Sequence, residues 1–159
     1  MVIVMISTKS FKNPTLLFIK YIVIVFALFS SSVNAIDNPD APDLVSEFEV
    51  REKPLIDSAE NSAGYRPGLV AYTDYLEFLD KELNVIYKTL QAKLPIDKQQ
   101  QLKQSQIAWL KYRDLEFALI ESTWTKADFG TSSSITRGQF KAAIVRNRII
   151  QLMHYTRTF

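Results

Sequence analysis

The strongest constraint on this chain is a pair of long apolar stripes separated by one proline. Leu76, Leu79, Leu83, Ile86, Leu90 and Leu94 recur at spacings of three and four, and Pro95 follows. That period lines one face of an amphipathic α-helix, expected from about Val70 to Lys93. A proline has no N–H to continue it. Leu102, Gln106, Trp109, Arg113 and Ile120 then repeat the spacing in a second helix, expected from Asp97 to about Thr123. So short a link forces the two helices antiparallel. Residues equidistant from the turn should then face one another: Asp80 with Arg113, Asn84 with Trp109, and Tyr87 with Gln106. The polar groups on the second stripe would thus have polar partners opposite. An Asp80–Arg113 pair held between helices would be partly desolvated, and would fix register more than add net stability.

A third helix is expected near the C-terminus. The stretch from Trp124 to Ser134, WTKADFGTSSS, reads as a loop. After it, Phe140, Ala143, Ile144 and Leu152 give an apolar side to a helix ending near His154. Three pairs have capping-box spacing at proposed helix starts: Asp74 with Glu77, Asp97 with Gln100, and Thr136 with Gln139. Tyr65, Tyr72, Tyr75 and Phe78 cluster at the beginning of the first helix and are read as core. Residues 36–68 hold four of the six prolines and no lasting stripe, with LVSEFEV as a possible short strand. The fold class is all-α: an antiparallel helical hairpin with a third, C-terminal helix packed on it, preceded by an irregular acidic arm.

The N-terminus reads as an export signal. Lys9, Lys12 and Lys20 precede the apolar run IVIVFALF, and Val33 and Ala35 stand three and one positions before a cut after Ala35. The run is shorter than the roughly 20 residues a membrane span needs. No cysteine occurs, which excludes disulfides, thiol chemistry and lipid attachment at the cut. The expected divisions are a signal peptide at 1–35, an acidic arm at 36–68 and a helical domain at 69–159, in a periplasmic or secreted protein with no membrane association after cleavage.

Nineteen Lys/Arg stand against seventeen Asp/Glu, and loss of the three leader lysines leaves a net charge of −1. That is no charge for a generic nucleic-acid binder. Within the exported chain, residues 36–60 carry a net −6 and residues 61–159 a net +5. Either the arm folds back over its own basic body or it contacts a partner. His154 is the single histidine and has no ligand-spaced companions, so no metal site is expected. No nucleophile elbow, zinc-protease or phosphate-loop pattern is present, and no cofactor or enzymatic activity is expected.

Three segments together resemble a known family. LDKELNVIY supplies Asp80, Leu83, Asn84 and Tyr87; LKQSQIAWLKYRD supplies Leu102, Gln106, Trp109, Arg113 and Asp114; IVRNRIIQL supplies Arg148 and Leu152. This pattern is similar to the LprI-type lysozyme inhibitor N-terminal domain, a small exported bacterial module. The resemblance runs from about Tyr72 to Leu152. It implies a periplasmic or surface protein that binds another protein, such as a lysozyme or another cell-wall hydrolase, by occluding its cleft. Related modules imply a second reading, an immunity protein against a periplasmic secretion-system effector, and a third reading of a different class is a structural envelope or assembly factor. Many relatives carry a cysteine shortly after the RD pair, where this chain has Phe117, and another early in the last helix. The loop from Trp124 to Ser134 is therefore expected to lack a covalent tether.

Overall fold

The computed structural model describes residues 42–159, which form one compact unit. The charged leader, the apolar run and the expected cleavage point lie outside the described residues. Among the described residues there are five helices and no strand: α1 (Leu44–Asn61), α2 (Tyr65–Lys93), α3 (Ile96–Thr123), α4 (Lys126–Phe129) and α5 (Ser133–Arg157). The fold is all-α. None of these helices is long and apolar enough to cross a membrane.

Helix α1 corrects the expectation of an irregular arm with a short strand at LVSEFEV. Asp43 opens it, accepting hydrogen bonds from the Ser46 amide at 3.2 Å and the Ser46 hydroxyl at 2.6 Å. These bonds hold the Asp43 carboxyl below its ordinary range. Phe48, Glu52, Leu55, Ile56 and Ala59 then follow at helical spacing and turn inward. The stripe was masked in the sequence because a glutamate occupies one of its core positions and Pro54 stands beside it. Pro54 lies on the exposed side, one turn after the solvent-facing Val50, so water can satisfy the carbonyl that loses its intrahelical partner. Phe48 is fully buried and stacks on Phe78 of α2, with ring centroids 6.0 Å apart.

Helix α2 begins at Tyr65, five residues before the expected Val70. Gly64, at φ 95°, makes the break, and Pro67 falls in the first turn, where its missing N–H costs no bond. Asp74 and Glu77 consequently lie inside the helix and cap nothing. The buried side of α2 is Tyr72, Tyr75, Leu79, Leu83, Ile86 and Leu90, and its most extensive partner is α5, followed by α1. The approach to α5 is close at Gly138, where a Cβ would lie 2.8 Å from the Tyr72 ring.

Pro95 turns the chain into α3 as expected. α2 and α3 touch each other far less than either touches α5, so the C-terminal helix is the shared partner of both hairpin arms. The connection from α3 to α5 contains the one-turn helix α4, capped by Thr125, whose hydroxyl accepts from the Asp128 amide at 3.2 Å. Gly130, at φ 71°, ends it. Helix α5 then starts at Ser133, which leaves Thr136 and Gln139 inside it. In place of a disulfide, Arg137 donates to the Trp124 carbonyl and pairs with Glu121 at 2.9 Å, Lys141 pairs with the same glutamate, and the Trp124 and Phe140 rings sit 4.7 Å apart.

Candidate binding surface on the third helix

Helix α3 carries five of the eleven motif residues singled out in the sequence, yet it buries only Leu102 and Ile120. Ile107, Tyr112, Leu115 and Leu119 are exposed, Leu115 by 73 %. Tyr112, Leu115 and Leu119 are spaced three and four apart and share one solvent-facing side. A groove runs along each flank of this helix.

The groove toward α2 has a volume of about 310 Å³ and is lined by Asp80, Leu83, Asn84, Tyr87, Gln106 and Arg113 among others. Arg113 Nη1 lies 3.9 Å from Asp80 Oδ1, which meets the expected facing register. The expected desolvation is not met: the Asp80 side chain is 62 % exposed. Arg113 makes its shorter contact with its neighbour Asp114, at 2.8 Å. A pair this open to water adds little. Asn84 and Trp109 line different grooves, and the Asn84 side-chain amide donates to the Asp80 carbonyl one turn back, at 2.8 Å. Tyr87 and Gln106 line the same groove, but no hydrogen bond joins them among the described residues. The facing pairs diverge because α5, not α2, is the main support of α3, and its face is turned accordingly.

The groove toward α5, of about 370 Å³, is lined by Trp109, Tyr112, Ile144, Asn147, Arg148 and Gln151. Arg148 is 6 % exposed. Its Nε donates to Gln106 at 3.1 Å, Nη1 to Gln151 at 2.7 Å and Nη2 to the Ser105 hydroxyl at 3.2 Å. The guanidinium carbon lies 5.8 Å from the Trp109 ring centroid, in reach of a cation–π attraction. Burial pulls the Arg148 guanidinium below its ordinary value. An amide and a tryptophan on one face of α3 are thus explained by an arginine on α5, a pairing that spacing within α3 did not indicate.

A second polar cluster went unread in the sequence. Glu52 of α1 is 3 % exposed and takes both oxygens to Arg146 Nε at 2.9 Å. It also accepts the Tyr75 hydroxyl, while Glu49 accepts from Arg146 Nη2 at 3.2 Å. Burial, and then the hydrogen bond to Glu52, push the Tyr75 hydroxyl well above its ordinary value. The available signal was the glutamate itself, four residues after Phe48 and three before Leu55, at a position the stripe assigns to the core. The cluster bolts α1 to α2 and α5. Among the described residues, no three His, Asp or Glu side chains converge as metal ligands.

Residues 60–152 match the family model described as lysozyme inhibitor LprI. No curated protein and no solved structure matches the chain.

Proposed function

Because the chain belongs to the LprI lysozyme-inhibitor family, we propose that it is an exported protein that binds a lysozyme-type cell-wall hydrolase and blocks its cleft. Such hydrolases cut glycosidic bonds between two carboxyl groups flanking the substrate. An inhibitor needs to fill that cleft and present hydrogen-bond donors to it, and no reacting group of its own is required. The observation that supports this reading is the character of α3. It leaves Tyr112, Leu115 and Leu119 on one open side, beside a groove whose polar members are Asn147, Arg148 and Gln151. An apolar centre with a polar rim is the usual anatomy of a protein interface. The motif residues of α2 serve in this reading as the far wall, with Asp80, Leu83, Asn84 and Tyr87 in the groove opposite.

The test is lysis of a peptidoglycan suspension by an animal-type lysozyme in the presence of the chain beginning at Ile36. The expected result is dose-dependent inhibition that Leu115→Asp and Leu119→Asp both relieve without lowering the melting temperature. Full lysozyme activity at saturating concentrations of the chain would overturn the reading. The same proposal places the protein outside the cytoplasm with residues 1–35 removed, and N-terminal sequencing of a periplasmic fraction is expected to begin at Ile36.

A further inference from the structure

Arg51, Arg113, Arg137 and Arg146 each reach a carboxylate, those of Glu82, Asp114, Glu121 and Glu52 respectively. Arg148 is more deeply buried than any of these, and among the described residues no carboxylate comes within 4.0 Å of it. Its acceptors are Gln106, Gln151 and Ser105, all neutral. Taking a cation out of water without a counter-charge is unfavourable, and hydrogen bonds to neutral groups offset only part of it. A guanidinium carries five N–H donors. The three bonds present use one on each nitrogen, which leaves one N–H free on each terminal nitrogen. Remaining guanidinium N–H groups of this kind form strong charge-assisted bonds to a carboxylate.

The surroundings narrow the ligand further. Apart from Arg148, the groove walls are Trp109, Tyr112, Ile144, Asn147 and Gln151, with no second positive charge. A phosphate dianion would call for more than one cation, whereas a carboxylate is matched by one. The Asn147 amide adds a neutral donor on the same helix, and the two rings offer apolar walls for the methylene groups that carry a side-chain carboxylate. We propose that the α3–α5 groove is a carboxylate-binding site, and that an aspartate or glutamate side chain of the bound hydrolase fills it. The source of that carboxylate rests on the function proposed above; the chemistry of the groove does not.

Gln151→Glu tests the site without removing its arginine. Gln151 is exposed, and its side-chain oxygen already contacts Arg148, so the near-isosteric glutamate supplies the missing carboxylate from within the chain. In the chain beginning at Ile36, the Arg148 Nε–H signal is followed by NMR during titration with sodium acetate, with sodium chloride at matched ionic strength as reference. The expected result is a saturable shift with acetate alone, its absence in Gln151→Glu, and a higher melting temperature for that variant. An Arg148 signal that responds identically to acetate and chloride overturns the site, as does an unchanged acetate response in Gln151→Glu. In a second arm, affinity for animal-type lysozyme is expected to fall at least about tenfold in Gln151→Glu. Equal affinity of the two chains overturns the assignment of the carboxylate to the hydrolase. A saturable acetate response without lysozyme binding supports the site and overturns the function proposed above.

Discussion

Glu52 shows how a single residue can be misplaced by composition and correctly placed by packing. A carboxylate buried to this degree is tolerable only with its partners, here Arg146 through both oxygens and the Tyr75 hydroxyl. Removing the carboxylate leaves Arg146 and Tyr75 without their principal acceptor, so Glu52→Ala is expected to lower unfolding free energy by roughly 3–5 kcal/mol in urea titrations. Tyr75→Phe removes one hydrogen bond to a charged group and is expected to cost about 1.5–3 kcal/mol. The tyrosine also sets an alkaline limit. Its folded-state value is raised above the ordinary tyrosine value of about 10, so its contribution is complete below that pH and is lost as pH rises through it. Melting temperatures measured from pH 8 upward should therefore fall less steeply in Tyr75→Phe than in the parent chain. Arg113 gives the opposite lesson. The helical spacing found its facing residue, Asp80, but spacing holds no information about solvent, and Asp80 is mostly exposed. Arg113→Ala and Lys111→Ala are accordingly expected to differ by no more than about 1 kcal/mol in the same titrations.

At the level of elements, α2, α3 and the break at Pro95 were readable because long runs of leucine and isoleucine at helical spacing leave few alternatives. Helix α1 was not readable, since Pro39, Pro42 and Pro54 suggested an extended chain while Glu52 interrupted the apolar stripe. The capping boxes failed for a different reason: a polar pair three apart is common inside helices, and Asp74 with Glu77 is such a pair. The working caps, Asp43 with Ser46 and Thr125 with Asp128, lie in segments read as irregular. Helix contacts were also hidden, because no local pattern shows that α5 supports both α2 and α3. Two glycines measure how closely α2 is packed. A Cβ at Gly138 would lie 2.8 Å from Tyr72 Cγ and 2.9 Å from its Cβ, atoms that no side-chain rotation can take away together. A Cβ at Gly68 would lie 2.9 Å from Ile135 Cδ1, the end of a flexible chain. Alanine gains up to about 1 kcal/mol over glycine in helix propensity at both sites. Gly68→Ala is expected to be near neutral, while overpacking at Gly138→Ala outweighs that gain and costs about 1–3 kcal/mol. Thermal melts of the two variants side by side are the check.

For the whole molecule, the question is where the folding unit begins. The family match starts at residue 60 and ends at residue 152, which excludes nearly all of α1 and the last turn of α5. Yet Phe48 is fully buried against Phe78, Ala59 and Glu52 are buried, and Met153 and Thr156 belong to the interior at the other end. The charges of the N-terminal segment are likewise used inside the unit: Glu49 and Glu52 hold Arg146, and Arg51 pairs with Glu82 of α2. Deleting this segment would therefore not leave an intact helical body behind. The loss of a fully buried phenylalanine alone costs about 3–5 kcal/mol, against a total stability of about 5–15 kcal/mol for an ordinary domain. Removing α1 also uncovers Tyr75 and Phe78, which pack against Glu52 and Phe48. A chain cut to residues 60–152 is thus expected to show no cooperative thermal transition by circular dichroism, whereas residues 42–159 melt in one step. If the shorter chain melts cooperatively within a few degrees of the longer one, α1 is an appendage to a core that α2, α3 and α5 complete alone.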